Sequence, residues 1–325
     1  MASQATLRGG SRYDDNRTRK KRPYKKRSFN FLPILLIILI LAFACAGGAF
    51  LLYRNMDQVP DVTIDLSSLD SPYAVLMDQK SGTVLGEKNK DEIIFPASMT
   101  KIMTVYTALD YIKNLNETIT ISYDYWDELY ERDATRAGYE PGEEAVISDL
   151  LYGALLPSGA ECCMELAYQA AGSESAFVEL MNQKVSKLGL SQTHFTNCTG
   201  LHDDDQYSTV EEIALILKAA LNNKTFYEVF TSAYHTMPAT DIHPDGFTVQ
   251  SSMFKKLDTA EVTGGKIIGG KTGYTDEAGY CLASAAQIDE RIYILVTAGW
   301  ADVDYTTYNI NDAVQGYDLL GQALN

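Results

Sequence analysis

Ser98 and Lys101 stand three residues apart in the run PASMTK (96–101), between strand-like EIIF and helix-like KIMTVYTALDYI. On the first turn of a helix the serine hydroxyl lies near the positive end of the helix dipole. Lys101 is then one turn on, on the same face and within reach of that hydroxyl. A serine attacks a carbonyl only when a base takes its proton, and a lysine can serve only when neutral. Spacing alone does not single out this pair, because Ser252-Met253-Phe254-Lys255 repeats it. A helix-capping serine beside a solvated lysine would also read the same way. Two further runs tip the balance. Lys271-Thr272-Gly273-Tyr274 falls in a β-rich stretch, where a cation, a hydroxyl and open backbone can receive an extended peptide and its carboxylate. Lys271 would also be a second cation, lowering the pKa of Lys101. Between them, Ser158 follows a helix-breaking proline in LLPSGA, where a side chain can point into a cleft.

The elements that must position these residues can be read from the surrounding pattern. YAVLMDQKSGTVLGEKN reads as a hairpin turning at Lys80-Ser81-Gly82. From 99 to 230 helical spacing dominates, with helices closing at Pro157, Gly172 and Gly189, and one expected to start on a capping box of Ser208 and Glu211. GGKIIGGKTGYT, AGYCLASAAQID and RIYILVTAGW then alternate as antiparallel strands, and DAVQGYDLLGQAL closes as a helix. The fold expected is α+β: an antiparallel sheet flanked by helices, interrupted by a helical subdomain.

The 325-residue chain carries 43 acidic and 27 basic residues, a net −16. Residues 1–28 hold ten Lys/Arg against Asp14 and Asp15, so the rest of the chain carries −24. Phe31–Tyr53 then runs 23 residues without a charge, enough to span a bilayer at about 1.5 Å per residue. The preceding basic cluster places the tail in the cytoplasm and everything downstream outside. Ala42-Phe43-Ala44 and Ala44-Cys45-Ala46 match small-x-small cleavage patterns, but the apolar run continues through GGAFLLY, which suits a retained single-pass anchor. The expected organisation is a basic cytoplasmic tail (1–30), a transmembrane anchor (31–53), a linker (54–70) and a catalytic domain (71–325). An acidic exported domain argues against nucleic acid as a partner. Cys162, Cys163, Cys198 and Cys281 have neither CxxC nor Cys/His spacing, so no metal or cofactor is expected, and they read as small buried residues. His202 could line the cleft but reads first as a surface-turn residue, and Asp203–Asp205 as a solvated run.

In the order Ser-x-x-Lys, Ser-Gly, Lys-Thr-Gly, the chain resembles the serine D-alanyl-D-alanine carboxypeptidases, the low-molecular-weight penicillin-binding proteins. The resemblance runs from about Tyr73 to the end, through PASMTKIMTVYTALD, DLLYGALLPSG, ESAFVELMNQKVSKLGLSQTHFTNCTGLHD, YSTVEEIALI and GGKTGYTDEAGYCLA. It implies the penicillin-binding, β-lactamase-like transpeptidase fold. It also implies D-Ala-D-Ala stem peptides of peptidoglycan as substrates and β-lactams as acylating inhibitors. Ser98 would be the acylated nucleophile, Lys101 its general base and Ser158 a proton relay to the leaving D-alanine. Lys271 and Thr272 would bind the terminal carboxylate, with Gly273 beside them, and the N–H groups of Ser98 and Tyr274 would form the oxyanion hole. The family's second motif is usually Ser-x-Asn; here the third position is Ala160, which raises the alternative of a catalytically weakened wall-binding or scaffolding protein. A class A β-lactamase fits less well, because no deacylating glutamate loop is evident. Many relatives also have a C-terminal anchor, a role the N-terminal segment is expected to fill. Arg291 is expected to start a strand away from the cleft.

Overall fold

A computed structural model describes residues 59–301 and 308–325. The basic tail and the apolar segment 31–53 lie outside the described residues. Among those that are described, no helix is long and apolar enough to cross a membrane.

The chain enters with the hairpin β1 (Tyr73–Asp78) and β2 (Val84–Lys88), then the 3-10 turn Ala97–Met99 that runs into α1 (Thr100–Tyr111). The helical lobe follows: β3 (Thr118–Thr120), α2 (Trp126–Glu131), β4 (Glu144–Val146), α3 (Ile147–Leu155), α4 (Ala160–Ala171), α5 (Glu174–Leu188), α6 (Val210–Ala220) and α7 (Lys224–Phe230). Next come the small hairpin β5 (Tyr234–Met237) and β6 (Phe247–Gln250), and β7 (Glu261–Val262). The long strands β8 (Gly265–Thr275), β9 (Gly279–Ile288) and β10 (Arg291–Trp300) complete the sheet, and α8 (Tyr308–Leu324) covers it. Six strands form one antiparallel sheet in the order β2-β1-β10-β9-β8-β7. The helical lobe is thus an insertion between β2 and β7, as the sequence implies.

Strand periodicity explains the layering. Along β1, Val75 and Met77 face one core while Ala74 and Leu76 face another. On β10, Ile294 and Val296 join the first, and Tyr293 and Leu295 the second. Successive side chains of a strand point to opposite faces, so a sheet apolar at every position must be covered on both. The helical lobe covers one face. On the other, Ile310, Ala313, Tyr317 and Leu320 of α8 recur at helical spacing and are buried. The Tyr317 hydroxyl accepts from the Leu295 amide at 3.0 Å and pairs with Ser284 Oγ at 3.1 Å, so the buried phenol has partners.

Two expectations change. The stretch 54–70 reads as a linker, yet from Val59 the chain belongs to the compact unit. Ile64, Leu66 and Leu69 are buried against the sheet's second face, and the Ile64 amide donates to the Leu85 carbonyl. Val62, Ile64 and Leu66 alternate with exposed Thr63 and Asp65, and this short period-two run docks the segment. Second, α6 is capped one residue later than Ser208: the Thr209 side chain accepts from the Glu212 amide. Ser208 instead pairs with Thr193 Oγ1 at 2.8 Å.

Candidate active site

Ser98 sits in the middle of the 3-10 turn, one step ahead of α1. Met99 occupies the N-cap position of α1 without a side-chain capping bond. The helix-capping reading of Ser98 is therefore not realised. Ala97, just before it, has φ 44° in the left-handed region, as does Ser158 at φ 77°. Non-glycine residues there cost of order 1 kcal/mol or more, and such strain collects at functional sites.

Lys101, on the first turn of α1, is hydrogen-bonded to Ser98 Oγ at 3.0 Å and donates to the Thr199 carbonyl. Only 3% of Lys101 is exposed. Burial penalises the ammonium and pushes its pKa down, against weaker opposing pulls from Cys163, Cys198 and Glu161. A neutral amine that gives one N–H to a carbonyl keeps a lone pair for the serine proton. Lys271 is fully buried on β8, and its pKa is pushed well down, first by burial and next by repulsion from Lys101. The expectation that Lys271 depresses Lys101 is thereby revised: burial accounts for Lys101, and the repulsion is felt at Lys271.

A cavity of about 430 Å³ opens over this pair. Its walls include Ser98, Lys101, Ala160, Thr199, His202 and Tyr274. Ser158, Lys271 and Thr272 are not among its walls. Ser158 is buried in the turn between α3 and α4, two residues before Ala160. The Lys271 amine donates to the Thr272 carbonyl at 2.7 Å, and Thr272 Oγ1 is 2.5 Å from Ser252 Oγ. At Gly273 the strand passes so close to the turn of Ser98 that a Cβ would lie 3.1 Å from the Ser98 amide nitrogen and 3.2 Å from Ala97 Cβ. Glycine there lets β8 run against the backbone that carries Ser98. Arg291 begins β10, as the sequence implies, and it pairs with Asp78 at 2.8 Å. A larger hollow, about 590 Å³ between α8 and residues 256–259, contains no comparable nucleophile and base.

Several contributors were missed from sequence. Thr199 acts through a carbonyl, which leaves no side-chain signature. The available signal was Asn197, whose side chain accepts from the Thr199 and Gly200 amides in a tight turn. Thr104 Oγ1 ties the same loop to α1 through the Cys198 carbonyl at 2.7 Å. Glu161, next to Ala160, is fully buried, and its Oε1 accepts from the Ala137 and Gly138 amides at 2.6 and 3.0 Å. Burial pushes that carboxyl's pKa up. It pins the loop 132–138, whose Arg132 donates to the His202 carbonyl at 2.6 Å across the cavity mouth. His202 is thus a wall residue rather than a surface-turn one, edge-on to Phe95 and 3.3 Å from Asp204. The four described cysteines are free and buried, as expected. Among the described residues no cluster could hold a metal ion.

An antiparallel sheet with an inserted helical lobe, and a serine hydrogen-bonded to a buried lysine between them, defines a serine acyl-transfer architecture. The family model described as D-alanyl-D-alanine carboxypeptidase matches residues 60–301. DacC of Escherichia coli K12, a D-alanyl-D-alanine carboxypeptidase, is 34% identical over 277 residues, 81% of this chain and 65% of that protein. DacA of the same organism, of the same description, is 34% identical over 240 residues, 71% of this chain and 57% of that protein. The crystal structure of the Streptomyces K15 DD-transpeptidase superposes with TM-score 0.69 at 26% identity, covering 78% of this chain and 97% of that one. The chain belongs to the D-alanyl-D-alanine carboxypeptidase family. It spans somewhat under two thirds of the length of the two Escherichia coli relatives.

Proposed function

We propose that this protein is a serine D-alanyl-D-alanine carboxypeptidase, which removes the terminal D-alanine of peptidoglycan stem peptides through an acyl-enzyme. The observation that carries the reading is the Ser98–Lys101 hydrogen bond of 3.0 Å on a lysine whose burial favours the neutral base. In this mechanism Lys101 takes the Ser98 proton as Oγ attacks the penultimate carbonyl. The amides of Ser98 and Tyr274 hold the oxyanion, and Gly273 supports this by letting β8 lie against Ser98. Ser158 passes the proton to the departing D-alanine, and water then releases the acyl group. Lys271 and Thr272 receive the substrate carboxylate. That carboxylate favours a charged Lys271, and the repulsion between the two amines then favours a neutral Lys101. A β-lactam presents a strained amide to the same serine and acylates it.

The segment 31–53 anchors the protein in the cell membrane, with the N-terminus in the cytoplasm and the catalytic domain outside, where its substrate lies. Protease added to intact cells should remove the catalytic domain and spare the tail.

Ala160 favours a second reading, a weakened penicillin-binding-like protein, because the cavity wall there offers only a methyl group. Release of D-alanine from a D-Ala-D-Ala pentapeptide separates the two. No release, under conditions in which DacA is active, would contradict the first.

A further inference from the structure

We propose that Ser252 is a positioning residue of this cleft, aiming the Thr272 hydroxyl at the terminal carboxylate of the bound peptide. The proposal rests on the carboxypeptidase reading and deepens it. Ser252 shares the spacing of Ser98 and Lys101, but its Lys255 is exposed and cannot act as a desolvated base. Its surroundings give it another task. The Ser252 amide donates to the Leu156 carbonyl at 2.9 Å, in the segment that leads into Ser158. The preceding Ser251 amide donates to the Ala233 carbonyl at 2.8 Å. Met253, fully buried, has its Sδ only 2.2 Å from where a Cβ on Gly270 would stand, so this methionine fills the gap that Gly270 leaves in β8. Residues 251–253 are therefore wedged between the Ser158 turn and the strand that carries Lys271 and Thr272, and Ser252 Oγ meets Thr272 Oγ1 at 2.5 Å.

Counting protons fixes the direction of that hydrogen bond once substrate arrives. Each hydroxyl has one proton to give, and an ionised carboxylate only accepts. If Thr272 gave its proton to Ser252, it would have none for the substrate. With the carboxylate present, Ser252 donates to Thr272 and Thr272 donates to the carboxylate, and each bond polarises the next. The support matters here because Arg291 is engaged with Asp78 and adds no charge to the cleft.

The test compares the full chain with Ser252→Ala, Ser252→Thr, Thr272→Val and the Ser252→Ala/Thr272→Val double variant. Substrates are a D-Ala-D-Ala pentapeptide as the free acid and as its C-terminal amide. Penicillin and its methyl ester serve as acylating probes. For Ser252→Ala we expect KM for the free acid to rise about tenfold with kcat within about threefold, and penicillin acylation to slow similarly, the size of one weakened hydrogen bond to a charged group. The amide and the ester should change less than about twofold, Ser252→Thr should restore the acid preference, and the double variant should match Thr272→Val alone. Equal losses on acid and amide, additive losses in the double variant, or an unchanged KM would overturn the proposal. A wild-type chain that releases no D-alanine would contradict the carboxypeptidase reading instead, and the acid-against-ester acylation rates would still decide the role of Ser252.

Discussion

In the proposed mechanism, the protonation state of Lys101 decides whether Ser98 is activated. Burial depresses its pKa below the ordinary 10.5, so acylation by penicillin should rise with pH through a midpoint below that value. Lys101→Arg, which cannot lose its proton, should be slower by about 10²- to 10⁴-fold and lose that dependence. Stopped-flow acylation across pH reads both; an identical pH profile in the arginine variant would remove Lys101 as the base. Ala160 marks the other open point at this scale. The Thr199 carbonyl already partners the Lys101 amine, so Ala160→Asn is expected to change D-alanine release by less than about tenfold, below the roughly hundredfold or more that an indispensable preorganised contact supplies. A larger gain would favour the weakened reading. The Ser98 and Lys101 pairing was legible because a spacing, a helix start and matching blocks agreed. Thr199 and the Ser252–Thr272 contact were not legible, since one acts through a carbonyl and the other joins a turn residue to β8 across 20 positions.

The loop 132–138 walls the cavity directly, and the β5–β6 hairpin packs behind it, with Phe247 against Gly138. Glu161 holds the loop by accepting two backbone amides. Its raised pKa means that, above the ordinary 4.5, the folded chain keeps a proton that the unfolded chain has shed. That contribution to stability is full below 4.5 and is lost as pH rises through the folded value. Glu161→Gln keeps an acceptor and a neutral group, so its stability should fall less with rising pH above about 4.5 than the wild type's does. Denaturant midpoints across pH would show this, and parallel curves would contradict it. The hairpin is fastened by His235 to Asp149 at 2.7 Å and by His243 to Glu143 at 2.8 Å. Long strands and helices were legible from their period. The short hairpin was not, because its fasteners lie 86 and 100 residues away in sequence and its strands have four residues each.

Across the whole molecule, a sheet that is apolar on both faces forces the chain to supply two covers, and the cleft forms where one cover meets the edge of β8. The α8 cover is coupled to the sheet through Tyr317. Tyr317→Phe leaves the Leu295 amide short of a partner, while the Ser284 hydroxyl keeps its 3.1 Å bond to the Leu295 carbonyl, at an expected cost of about 1–3 kcal/mol. Thermal or denaturant unfolding measures that loss, and an unchanged midpoint would mean that water replaces the phenol. The two-sided burial was readable in the apolar runs of the last three strands, whereas the docking of 59–70 was announced only by the short alternation of Val62, Ile64 and Leu66 in an otherwise polar stretch. What the assembled cleft does can be read directly from its reaction with substrate. The full chain is incubated with a D-Ala-D-Ala pentapeptide, and both free D-alanine and the mass of the protein are followed, with Ser98→Ala alongside. The expected result is D-alanine release with a transient acyl adduct on Ser98, both absent in Ser98→Ala; release that persists in Ser98→Ala, or an adduct on another residue, would contradict it.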